Sequence, residues 1–186
     1  MVTFDSAGAN TTITIRGAGV LPASVTVSSG TYTFQGGPIG GGTTTLDNSG
    51  TLTLNSSNTY GGLTQILSGR ITVKTNGALG TAVGGTTIAS GTRLVFQDNV
   101  NYTTAEPLTI AGDGGGYGAV YNYYGENTFA GPITLSAAAT IATVLDASPE
   151  VRTMDFTDTL RAGTSALLTA LDLVQSGTYL LVCAGD

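Results

Sequence analysis

The amino-acid sequence predicts an all-β chain wound as a β-solenoid, its parallel strands stacked at roughly 20–25 residues per coil. Three observations predict this. Apolar and polar residues alternate in short runs, as in Thr12-Ile13-Thr14-Ile15 and Thr51-Leu52-Thr53-Leu54, the pattern of a strand with one buried face. Glycine, 28 of 186 residues, falls between those runs and follows no G-X-Y period, as corner residues do and collagen glycines do not. Related strands then recur about one coil apart, in Thr86-Thr87-Ile88, Pro107-Leu108-Thr109-Ile110 and Pro132-Ile133-Thr134-Leu135. A sandwich or closed barrel is the competing all-β architecture. Its hairpins would favour Asn-Gly or Asp-Gly turns, too sparse here (Asn76-Gly77) to join so many strands.

Taken in order, the predicted strands are Val2–Phe4, Thr12–Ile15, Ser24–Val27, Tyr32–Phe34, Thr43–Leu46, Thr51–Leu54, Leu63–Ile66, Arg70–Val73, Thr86–Ile88 and Arg93–Phe96. They continue at Leu108–Ile110, Ala119–Tyr121, Thr128–Ala130, Ile133–Leu135, Thr140–Val144, Val151–Phe156, Leu167–Leu173 and Tyr179–Cys183. Most are rich in β-branched or aromatic residues, and glycine, proline, asparagine or serine separates each from the next. The run Thr164–Val174 also carries Leu167, Leu168, Leu171 and Val174 at helical spacing. Ser165 would cap such a helix without the Glu or Gln that completes a capping box, so strand is preferred. The inward column is expected to include Leu54, Ile66, Val73, Ile88, Val95, Ile110 and Leu135, with threonine on the outer face.

The stretch Ser49–Thr81 is the most specific. It contains Gly50-Thr51-Leu52-Thr53-Leu54, Asn58-Thr59-Tyr60-Gly61-Gly62, Thr64-Gln65-Ile66, Gly69-Arg70-Ile71-Thr72-Val73 and Ala78-Leu79-Gly80. This succession resembles the passenger-associated transport repeat (autotransporter-associated β-strand repeat) of secreted bacterial proteins. It departs from that pattern in lacking the threonine usual after Asn-Thr-Tyr, and in placing Arg70 where threonine is common. The flanks resemble such proteins more loosely, from Val2 to Thr143. The resemblance implies a right-handed parallel β-helix, secreted or displayed on a bacterial surface. It implies no catalytic residue, because the repeat marks architecture and export.

Composition narrows the function classes. Charged residues make up 10%, against about 25% in ordinary globular proteins. In a solenoid, like side chains stack about 4.8 Å apart, so a charge repeated on successive coils would repel itself. Net charge is −6, with six scattered basic residues. Nucleic acid binding needs clustered Lys and Arg, so it is not expected, nor is attraction to anionic membranes. No apolar run reaches transmembrane length, so membrane insertion of this segment is not expected either. Met1-Val2-Thr3-Phe4 reads as strand rather than signal peptide, so the chain reads as a segment of a longer protein. Histidine is absent, removing the commonest general base and metal ligand. Cys183 is the single cysteine, in an apolar run, and reads as a buried small hydrophobe.

Few residues invite chemistry. Asp155 and Asp158 are a close carboxylate pair, but residues three apart on a strand face opposite ways. Asp98 and Glu106, with Arg93, come nearest to the acidic groove and base of a pectin-lyase-like β-helix, without a recognised motif. The loop Gly112-Asp113-Gly114-Gly115-Gly116-Tyr117-Gly118 lacks both the Lys-Ser/Thr of a phosphate loop and the repeat of a calcium loop. Tyr117, Tyr121, Asn122, Tyr123 and Tyr124 form the aromatic cluster best suited to contact a sugar or a protein surface.

The expectation is a non-enzymatic, cofactor-free and metal-free stalk segment of an extracellular or surface-displayed passenger, adhesin or filament. Residues 1–186 form one solenoid segment, with 150–186 divergent and holding the densest charge. The alternative is a carbohydrate-binding or carbohydrate-cleaving β-helix. Partners would be a glycan or protein surface, or further copies of the chain joined end to end through Val2–Phe4 and Tyr179–Cys183.

Overall fold

The computed structural model describes residues 1–8, 11–42 and 45–143, all within the unit Met1–Pro149. The predicted strands at Val151–Phe156, Leu167–Leu173 and Tyr179–Cys183 lie outside the described residues. So do the alternative helix at 164–174, Asp155, Asp158 and Cys183.

Sixteen strands are present among the described residues. They are β1 (Val2–Phe4), β2 (Thr12–Ile15), β3 (Ser24–Val27), β4 (Thr31–Gly36), β5 (Thr45–Asn48), β6 (Thr51–Asn55), β7 (Thr64–Ile66) and β8 (Arg70–Val73). There follow β9 (Thr86–Ile88), β10 (Arg93–Gln97), β11 (Asn101–Tyr102), β12 (Leu108–Gly112), β13 (Val120–Tyr124), β14 (Thr128–Phe129), β15 (Ile133–Ala139) and β16 (Ile141–Thr143). All pairings between them are parallel. One sheet runs β1-β3-β5-β7-β9-β12-β15 and the other β2-β4-β6-β8-β10-β13-β16, while β11 and β14 pair at a third position. The chain thus visits the two large sheets alternately, one strand in each per coil, and makes a β-solenoid of about six turns.

The core is a set of columns running along the axis. In the first sheet, Val27, Asn48, Ile66, Ile88 and Ile110 stack in register. In the second, Tyr32, Leu52, Ile71, Leu94 and Val120 do the same, beside Phe34, Leu54, Val73 and Phe96. Leu46, Leu52, Leu54, Ile66, Ile71, Val73, Leu94 and Ile110 are fully buried. The alternation in β6 sends Leu52 and Leu54 inward and leaves Thr51 and Thr53 half-buried on the outer side.

Three expectations need correction, and one strand was not expected. Val95 is buried but lies outside the core cluster, because Leu94 and Phe96 on either side of it take the inward positions. Leu135 pairs with Ile110 yet is 58% exposed, because no described strand stacks beyond β15 in that sheet. Thr64 and Thr86 point inward with Ile66 and Ile88 and are buried, so threonine is not confined to the outer face. Finally, β11 carries a single apolar residue, Tyr102, and offers no alternation to read.

Candidate functional site

Three groups of residues carry polar chemistry, and all grow out of the stacking of coils. The first is the corner formed by Asn58-Thr59-Tyr60 and Ala78-Leu79-Gly80. The Asn58 side chain is buried and spans neighbouring coils. Its Oδ1 accepts from the Ile39 N–H at 2.8 Å, and its Nδ2 donates to the Ala78 carbonyl at 2.6 Å. Asparagine alone among small residues offers both an acceptor and donors on one rigid plane. Tyr60, Ala78 and Leu79 are buried beside it. Gly80 has φ +87°, and a Cβ there would collide with the Tyr60 carbonyl, so only glycine fits.

The second group is inside the solenoid. The Tyr60 hydroxyl lies 2.8 Å from Thr64 Oγ1. One coil later, Thr86 donates its hydroxyl to Glu106 Oε1 at 2.8 Å. The Tyr102 hydroxyl accepts from the Leu79 N–H at 3.0 Å. Glu106 has no solvent exposure, and its Oε2 is without a hydrogen-bond partner. Burial pushes the Glu106 carboxyl up to about 7, with the Thr86 hydrogen bond opposing the shift. Burial likewise drives the Tyr60 and Tyr102 phenols far above their ordinary value. A carboxyl so enclosed makes the stability of the fold depend on its protonation state. Thr86 and Glu106 lie about one coil apart in sequence, so aligning the coils would have exposed the pair.

The acidic groove weighed from the sequence is not assembled. Asp98 pairs with Lys74 at 3.0 Å, Arg93 Nη1 donates to the Gly114 carbonyl at 3.2 Å, and Glu106 is enclosed beside Thr86. Among the described residues, no group of three or more His, Cys, Asp or Glu side chains is placed to hold a metal ion.

The third group is the tyrosine cluster. Tyr117, Tyr123 and Tyr124 are exposed, and Tyr121 is half-buried. Tyr117 and Tyr121 stand edge to face at 5.9 Å, and Tyr121 and Tyr123 are tilted at 5.8 Å. Arg93 lies over the Tyr117 ring at 4.4 Å. Arg93 belongs to this cluster and was missed there, because its contact crosses from one coil to the next. Asn122 stands apart from the row: its Oδ1 accepts from Asn127 Nδ2 at 2.6 Å, and it pairs with Phe96 on β10. Tyr124 pairs with Gln97 after a register shift, and its carbonyl accepts from Asn127.

Fold and corners together define a parallel β-solenoid whose identifiable motif residues serve coil stacking. No family model, curated protein or solved structure matches the chain.

Proposed function

We propose that this chain is a structural stalk segment of a secreted or surface-displayed bacterial protein of the autotransporter type. It holds other regions of a passenger, adhesin or filament away from the cell. One observation carries this reading: the residues that define the repeat, Asn58, Tyr60, Ala78, Leu79 and Gly80, are turned inward or into coil-to-coil contacts. Such a motif is spent on architecture. A rod built this way is stiff, because each coil shares its backbone hydrogen bonds with the coils on both sides. It resists proteolysis because few backbone groups open independently of the stack.

The test places the chain between an epitope and an outer-membrane anchor on living bacteria. The expected result is an epitope that antibody reaches and a spacer that resists proteinase K on intact cells. Retention of the epitope inside the cell, or cleavage within residues 45–143 at low protease, would defeat the proposal.

A further inference from the structure

We propose that Tyr117, Tyr121 and Tyr123, with Arg93 over the Tyr117 ring, form a binding site for a single neutral glycan chain on the outer surface of the solenoid. This goes beyond a stalk, which needs no such surface.

The rings are exposed where packing would ordinarily hide them: Tyr117 and Tyr123 are 54% and 55% exposed. They are also held in place. Tyr121 and Tyr123 rise from β13, hydrogen-bonded between β10 and β16. Tyr117 sits on the loop 113–118, whose Gly116 and Gly118 N–H groups both donate to the Asp113 carbonyl. Asp113 Oδ1 accepts from the Gly115 N–H at 3.0 Å, and Arg93 pins the same loop through Gly114. Gly118 has φ +100°, and a Cβ there would meet Ala142 at 2.8 Å, so the loop is tied to the next coil. A preformed aromatic surface loses little conformational entropy when a ligand lands on it.

The geometry selects the ligand. Successive rings are 5.9 and 5.8 Å apart, a step comparable to one sugar residue in an extended chain. Their planes turn by 64° and 41°. A flat crystalline polysaccharide face could not lie on all three, whereas a soluble chain whose sugar faces rotate along its length could. The phenols add hydroxyls for hydrogen bonds beside apolar ring faces. Charge argues for a neutral sugar. Arg93 is already engaged with Tyr117 and Gly114, and Asp113 lies on the same loop. An acidic polymer would therefore find no surplus of positive charge.

The probes are neutral hexaoses of glucose, mannose, xylose and N-acetylglucosamine, with polygalacturonate and microcrystalline cellulose as comparators. Binding is read by tyrosine fluorescence and calorimetry on the full chain. At least one neutral hexaose should bind, with affinity unchanged between low and high salt. Tyr121→Ala should weaken it about tenfold or more, and Tyr121→Phe should retain most of it. Unchanged circular dichroism and melting in both variants would separate lost binding from lost folding. Failure of every neutral probe overturns the proposal. So does salt-sensitive binding of polygalacturonate alone, binding to cellulose alone, or binding that Tyr121→Ala leaves intact.

Discussion

Glu106 is the residue whose chemistry most directly reports the enclosed interior. It is buried, bonded through one oxygen to Thr86, and unpartnered at the other. Its folded-state value of about 7 lies above the ordinary 4.5. Between those values the folded chain holds a proton that the unfolded chain has released, so stability falls as pH rises through this window. Below 4.5 the penalty is absent, and above 7 it is complete. The total is on the order of 1–3 kcal/mol. The melting temperature should therefore decline from pH 4.5 to 7 through this group. Glu106→Gln removes the charge and keeps an acceptor for the Thr86 hydroxyl, so it should flatten that decline and melt higher than wild type at pH 8. A wild-type profile without the decline, or a glutamine variant that retains it, would place the carboxyl in contact with water.

At the scale of a strand, burial depends on what stacks beyond as well as on alternation. Ile110 and Leu135 are register partners on β12 and β15, but Ile110 is fully buried and Leu135 is 58% exposed. Ile110→Asp puts a charge into a closed apolar column and should cost several kcal/mol. Leu135→Asp should cost about 1 kcal/mol or less. Chemical denaturation of both variants checks this; equal losses would mean that Leu135 is covered as Ile110 is. Most strands were legible in the sequence because period-two alternation writes them directly, as in β2 and β6. The inward threonines were not, because Thr64 and Thr86 are polar and their partners, Tyr60 and Glu106, come from other parts of the coil path. The tyrosine cluster was legible as composition. Its row of Tyr117, Tyr121 and Tyr123, its exclusion of Asn122 and its support from Arg93 required the register that sets one coil on the next.

Across the stack of coils, no described strand lies beyond β1 or β2 in its sheet. Among the described residues, β1 pairs with β3 alone and β2 with β4 alone, and Phe4 and Ile13 are partly buried while their register partners Val27 and Phe34 are buried. Open strand edges recruit other strands. A contact joining this edge to a different edge of a second copy is heterologous and propagates as a filament. The chain should associate linearly as its concentration rises, seen by light scattering and electron microscopy. Thr3→Pro, which removes an edge N–H, should suppress that association. Wild-type chain that stays monomeric at high concentration, or filaments indifferent to the proline, would exclude β1 as the contact.

If the coils are equivalent, stackable units, one of them can be excised in register without loss of the fold. Thr64 pairs with Thr86 and Ile66 with Ile88, so deleting residues 64–85 brings Thr86 into the place of Thr64 and Ile88 into that of Ile66. β9 would then pair with β5 and β10 with β6. The shortened chain should fold cooperatively, with small-angle scattering showing a solenoid shorter by about 4.8 Å. Deleting residues 64–68, which removes β7 alone and makes β6 and β8 successive visits to the same sheet, should abolish folding. An in-register deletion that fails to fold, or a part-coil deletion that folds equally well, would contradict the equivalence of the coils.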